Sequence, residues 1–156
     1  MLEKTNVMRI IEQKKLPYVS HYYGDTDAVS GVDVAAAMGE DPEKVFKTLV
    51  CTGKTGNHYV FVIPVKEELD LKKAAKAVGE KSMEMLKSKD LLPLTGYIHG
   101  GCSPIGMKKF FTTTVYYTAE SLPTFCFSGG KIGWQVEMSL DDLKKLIHLQ
   151  CADIIE

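Results

Sequence analysis

The sequence has no surplus of positive charge. Its 19 Lys and Arg stand against 20 Asp and Glu, a formal net charge of −1. A protein that grips a long stretch of nucleic acid unaided carries a clear basic excess. Any nucleic acid contact here is therefore expected to be short, or shared with another molecule. Also missing is any Cys-x-x-Cys pair, because Cys51, Cys102, Cys126 and Cys151 lie far apart. The four histidines, His21, His58, His99 and His148, show no metal-ligand spacing with Cys or Glu, so the sequence predicts neither a metal nor a cofactor. No apolar run is long enough to cross a bilayer. The segment Met1 to Lys15 is charged and amphipathic, unlike a secretory signal. Isolated thiols without such a signal read as reduced, and the expected location is cytoplasmic. Repeats, low-complexity tracts and linkers are lacking too. What is present is an ordinary globular composition, 45% hydrophobic and 25% charged over 156 residues. That suits a single domain spanning 1–156 with one proper core.

Local patterns give an element order. Thr5 or Asn6 can cap a first helix running to about Lys15, and Pro17 follows its end. Tyr18 to Tyr23 reads as a strand. Ser30 and Gly31 open a helix over Val32 to Met38, closed by Gly39, and Asp41-Pro42 caps a brief helical turn. Val45 to Thr52 and His58 to Val65 form a hairpin about Gly53 to Asn57. Helices are expected over Leu69 to Val78 and over Ser82 to Lys89. Tyr97 to His99 reads as extended, and Thr112 to Thr118 as a strand. Phe125 to Phe127 and Ile132 to Met138 make a second hairpin around Gly129-Gly130. Ser139 caps a last helix from Leu140 to about Leu149. Strands in two hairpin groups with interspersed helices imply an α+β fold, with a mixed or antiparallel sheet able to curl into a barrel.

Three segments could carry chemistry. In Val45-Phe46-Lys47-Thr48-Leu49-Val50 both strand faces are mainly apolar. Lys47 must there snorkel to an edge, lower its pKa, or meet an anion such as a phosphate. In Gly100-Gly101-Cys102-Ser103-Pro104-Ile105-Gly106 the glycines permit close backbone approach, and Pro104 holds Ser103 extended. Such a loop can offer N–H groups to an oxyanion, or be a simple bend. It lacks the Gly-Lys-Ser/Thr ending of a phosphate loop. Ser128-Gly129-Gly130-Lys131 is first a hairpin turn, though Ser128 could point into a cleft. No histidine or acid stands at a spacing that would make Cys102 a nucleophile.

In order and spacing, Val45 to Leu49, Leu69 to Gly79, Gly96-Tyr97, Gly100 to Lys109 and Ser128 to Lys131 resemble the YbaK/EbsC family. These are free-standing relatives of the editing domain of bacterial prolyl-tRNA synthetases, and the resemblance runs from about Tyr18 to the end of the chain. It implies a mixed β-barrel of six to seven strands flanked by helices. It also implies deacylation of mischarged tRNA, typically Cys-tRNA(Pro), in which the substrate thiol attacks its own ester and leaves as a thiolactone. Lys47 matches the key functional lysine, thought to orient the terminal adenosine and the ester. Gly100 to Pro104 matches a Gly-x-x-x-Pro loop that shapes the aminoacyl pocket. Backbone N–H groups near Gly100 and Gly101 are expected to hold the carbonyl oxygen, which sets these two beside Lys47 as the catalytic candidates. Tyr23, Thr48, Cys102, Ser103, Pro104, Ser128, Gly129 and Gln135 are the expected substrate-binding residues. Many relatives carry Asp where this chain has Gln135, which exchanges an acceptor-only carboxylate for a neutral amide. The implied partners are the CCA end of tRNA, held weakly, and prolyl-tRNA synthetase; membrane contact is not expected. A water-using deacylase for alanine or serine and a non-catalytic nucleotide-binding module are the alternatives.

Overall fold

The computed structural model describes residues 4–156. The helices are α1 (Asn6–Gln13), α2 (Gly31–Met38), α3 (Leu71–Val78), α4 (Ser88–Thr95) and α5 (Leu140–Leu143). Capping explains several of these boundaries. Thr5, Ser30, Asp70 and Ser139 each accept hydrogen bonds from first-turn N–H groups, and left-handed Gly39 and Gly79 close α2 and α3. The strands are β1 (Val19–Tyr22), β2 (Phe46–Gly53), β3 (His58–Pro64), β4 (Met83–Met85), β5 (Thr112–Tyr116), β6 (Phe125–Ser128), β7 (Trp134–Met138) and β8 (Leu149–Ala152).

The fold is α+β, but the eight strands of the described residues form two open sheets rather than one barrel of six or seven. The smaller has the order β1-β7-β6 and the larger β4-β2-β3-β5-β8. Among the described residues, the strand-type link between them is a single parallel bridge, Val45 to Cys126. The hairpins β2–β3 and β6–β7 are antiparallel as expected, while β3–β5 and β5–β8 are parallel. Two local readings give way to tertiary pairing, which overrides local propensity. Met83 to Met85 pairs with Gly53 to Cys51 along the β2 edge instead of entering a helix; the helix there is α4. The last helix stops after one turn, and Leu149 to Ala152 joins β5 as β8. Tyr97 and Ile98 have no strand partner, and residues 42–44 are a turn without helix.

The inner faces of the two sheets enclose the main core. Phe46, Val50, Val60, Val62 and Val115 of the larger sheet meet Phe125, Phe127, Val136 and Met138 of the smaller, with Val7, Met8 and Ile11 of α1 closing one end. Phe46 and Phe125 meet edge to face at 5.0 Å, and truncating such a ring to alanine costs about 3–5 kcal/mol. On the other side of the larger sheet, Ala74 and Ala75 of α3 cover Cys51, Phe61 and Ile63. Helix α2 sits over the seam itself, with Ala35 packed on Val45, Val65 and Cys126. These layers hold the sheets together while leaving part of the β2 edge unpaired.

Candidate active site

That unpaired edge borders a cavity of about 520 Å³. Strand β2 pairs with β3 over its whole length but with β4 only at Cys51 to Gly53. Between the Val45 bridge and the Val50 carbonyl, which accepts from Leu86 N–H at 3.0 Å, the edge faces open space. One wall is β2 itself, with Lys47, Thr48 and Leu49. A second is α2 and its approach, through Ser30, Gly31 and Val34. Met85, Leu86, Ser88 and Leu91 form a third, and Gly100, Cys102, Ser128, Gln135 and Tyr23 complete it.

Lys47 is half-buried and makes no ion pair or side-chain hydrogen bond among the described residues. No aspartate or glutamate is among the described residues lining the cavity, so its one Lys supplies the formal charge. Among the described residues, two further polar groups lack partners: Thr48 Oγ1 and Gln135 Oε1 are both buried without a hydrogen bond. Leaving such a group unmade costs about 1–3 kcal/mol. Gln135 is only 7% exposed, and lies directly opposite Ser128 and His21 in neighbouring strands. Ser128 Oγ accepts from Gly130 N–H at 3.1 Å, which leaves its own O–H free to donate.

The glycine loop divides into residues that face the cavity and residues that hold the loop. Gly100 lines the cavity with a φ of +90°, a conformation that strains any residue with a Cβ. The N–H groups of Gly100 and Cys102 have no acceptor among the described residues. Gly101 differs from its expected role. Its N–H is spent on Ile98 O at 3.0 Å, and a Cβ added there would meet the Lys131–Ile132 backbone. Ser103 is fully buried, with Oγ accepting from Ile105 N–H, so it stiffens the loop. Pro104 lines a separate groove beside Lys108 and Phe110. Gly129 N–H closes the hairpin on Trp134 O. Of the expected residues, Tyr23, Lys47, Thr48, Gly100, Cys102, Ser128 and Gln135 share one cavity; Gly101, Ser103, Pro104 and Gly129 do not line it. Burial pushes the Cys102 thiol up to about 12, which leaves almost no thiolate at neutral pH.

Local patterns missed two features. Met85, Leu86, Ser88 and Leu91 reach the cavity only because β4 docks on β2 and turns into α4. A run of alternating Met and charged residues carries no signal of that. The second is a polar cluster on the same face of the smaller sheet, where His21, Cys126 and Glu137 converge. His21 and Glu137 are 116 residues apart in the chain. No spacing rule could join them, although alternation does put Gln135 and Glu137 on one face of β7.

No helix among the described residues is long and apolar enough to cross a membrane. The family model for the aminoacyl-tRNA editing domain matches residues 26–146. An Enterococcus faecalis (strain ATCC 700802 / V583) protein named as a Cys-tRNA(Pro)/Cys-tRNA(Cys) deacylase, EbsC, is 45% identical over 153 residues, covering 97% of this chain and 93% of that one. The proline–tRNA ligase of Pelobacter propionicus (strain DSM 2379 / NBRC 103807 / OttBd1) is 30% identical over 83 residues, 53% of this chain and 14% of the ligase. A crystal structure described as a trans-editing enzyme for prolyl tRNA synthetase has the same fold, with a TM-score of 0.82 at 24% identity over 99% of each chain. On this full-length likeness and the matched domain, the chain belongs to the aminoacyl-tRNA editing domain family, on its YbaK/EbsC branch.

Proposed function

We propose that this protein is a trans-acting editing enzyme that removes cysteine from mischarged tRNA(Pro). The observation that carries the reading is Lys47, a half-buried cation without a partner among the described residues, facing a cavity that also presents uncommitted N–H groups at Gly100 and Cys102. Support for the substrate comes from EbsC, whose name gives Cys-tRNA(Pro) and Cys-tRNA(Cys). The cavity's volume falls in the range of small-molecule sites. It admits a single-stranded end carrying one aminoacyl group, not a duplex stem.

An aminoacyl ester is already activated, so positioning and oxyanion stabilisation suffice for its cleavage. The cavity's own thiol, Cys102, is held protonated by burial. The nucleophile is accordingly the substrate's thiol. Its sulfur bonds to the carbonyl carbon and the ester C–O bond breaks. The thiol proton ends on the departing ribose hydroxyl, and a thiolactone is released. Lys47 holds the adenosine or its phosphate, and the Gly100 and Cys102 N–H groups take the developing oxyanion. Ser128 donates its free proton, Tyr23 shapes the wall, and Thr48 and Gln135 satisfy their orphaned oxygens on the substrate's α-amino group. Gln135 turns about its terminal torsion to do so. With a net charge of −1 and few phosphates in reach, free tRNA is bound weakly and in a salt-sensitive way. Prolyl-tRNA synthetase supplies the remaining grip.

The test is a deacylation panel of Cys-, Ala-, Ser- and Pro-tRNA(Pro). Loss of cysteine alone, with thiolactone trapped as product, is expected. Cleavage of alanine or serine at a similar rate would move the chemistry to a bound water. Inertness toward every ester would leave a nucleotide-binding module.

A further inference from the structure

On the cavity-facing side of the smaller sheet, one step beyond Gln135, lies a cluster that the deacylation reading does not use. His21 on β1, Cys126 on β6 and Glu137 on β7 bring an imidazole nitrogen, a sulfur and a carboxylate oxygen within 4.8 Å of one another. His21 Nε2 is 2.8 Å from Glu137 Oε1. The other carboxylate oxygen, Oε2, is held separately: Lys44 Nζ donates to it at 2.7 Å, and Thr124 Oγ1 donates to it as well. Cys126 is fully buried, whereas the side chains of His21 and Glu137 are 22% and 13% exposed. The cluster is therefore closed on the sulfur side and open on the imidazole side.

We propose that His21, Cys126 and Glu137 form a site for one borderline-soft divalent cation of the zinc(II) class, completed by a water on the open side. A mixed nitrogen, sulfur and oxygen donor set suits that class. Bond lengths of about 2.0–2.3 Å put tetrahedral ligands about 3.3–3.7 Å apart. His21 and Glu137 then part slightly and Cys126 draws in. Lys44 and Thr124 bond to Oε2 and leave Oε1 to His21. They hold Oε2 and aim Oε1 inward, as outer partners of a ligating carboxylate do. Charge is balanced as well. Binding releases the thiol proton to solvent, so Cys126, Glu137 and Glu40 contribute three negative charges. Glu40 Oε2 lies 3.9 Å from Lys44 Nζ. The dication and Lys44 contribute three positive ones. The ion ties together all three described strands of the smaller sheet, of which β1 is a four-residue edge paired with β7.

The experiment is a cobalt(II) titration of the full chain under reducing conditions, followed by absorption. Expected is a thiolate-to-cobalt charge-transfer band that saturates at one equivalent and is displaced by zinc(II). Cys126→Ser should abolish the band, and His21→Ala should weaken cobalt binding at least tenfold; Cys151→Ser should leave both unchanged. Should Cys126→Ser fail to fold, His21→Ala and Glu137→Gln decide the matter by their cobalt affinities. The proposal is overturned if wild type gives no band at excess cobalt, if Cys126→Ser keeps it, or if both of those variants bind cobalt as wild type does. None of these readouts depends on deacylation.

Discussion

Replacing Lys47 with methionine removes a charge while keeping an unbranched apolar stem in the cavity. The side chain makes no ion pair among the described residues, so the change breaks no structural contact beyond packing of the ammonium. Stability should move by less than about 1 kcal/mol, which for a domain of this size is about 2–4 °C in Tm. The catalytic cost is larger. A hydrogen bond to a charged group contributes about 1.5–3 kcal/mol. With no carboxylate on the cavity wall to compete for it, the whole interaction is available to the substrate. These values predict a fall in kcat/KM of about 10–150-fold. Single-turnover deacylation of Cys-tRNA(Pro), read beside a thermal melt, measures both quantities. Activity within about threefold of wild type would remove Lys47 from the mechanism. Loss of activity together with a large drop in Tm would make it a structural residue.

Three other outcomes are expected. Gly100→Ala forces a Cβ onto a φ of +90°, so it should cost about 1–2 kcal/mol of stability; deacylation should fall further than the melt implies, and an unchanged rate would count against an oxyanion role for the loop. Cys102, raised to about 12 by burial, should resist alkylation in the native protein at pH 8, where about one thiol in 10⁴ is ionised; rapid labelling would contradict the burial. The same shift has a sign for stability. The thiol's folded pKa lies above its unfolded value of about 9, so its contribution is intact below pH 9 and is lost as pH rises toward 12. Cys102→Ala should flatten urea-derived stability across that window by up to about 1.4 kcal/mol per pH unit, and parallel curves would refute it. Gln135→Leu removes a buried orphan oxygen, so Tm should hold or rise while deacylation drops; a fall in Tm with full activity would reverse the assignment.

Wherever local chemistry decided the outcome, the fold could be read in the sequence. Thr5, Ser30 and Ser139 cap the helices they were expected to cap, and the turns at Gly53 to Asn57 and Gly129-Gly130 set both hairpins. Lys47 stood out because a lysine in an apolar strand needs an explanation, and Gly100 because glycines crowd its loop. What local patterns missed depends on long-range pairing. Met83 to Met85 and Leu149 to Ala152 are strands only because β2 and β5 present edges to them. Within the loop, composition could not separate Gly100, which faces the cavity, from Gly101, whose N–H is used by Ile98. That difference lies in the hydrogen bonds, and neighbouring glycines look alike without them.

The open seam has a physical logic that a closed barrel would lack. Had the β2 edge paired from Lys47 to Leu49, ladder hydrogen bonds would occupy the space that is now the cavity. Backbone groups along that edge must instead be satisfied by solvent or by a ligand. Thr48 Oγ1 and Gln135 Oε1 add two buried groups without partners, at about 1–3 kcal/mol each. Against a total stability of about 5–15 kcal/mol, that is a sizeable cost concentrated around one cavity. Folding alone would select against it, since an apolar side chain at either position is cheaper. Residues that break a local rule together, in one place, are those expected to act on a ligand. The same arithmetic requires that a ligand meeting these groups stabilises the fold. A non-cleavable cysteinyl-adenosine analogue should therefore raise Tm, and should raise it less in Gln135→Leu, where one of the unmet groups is already gone.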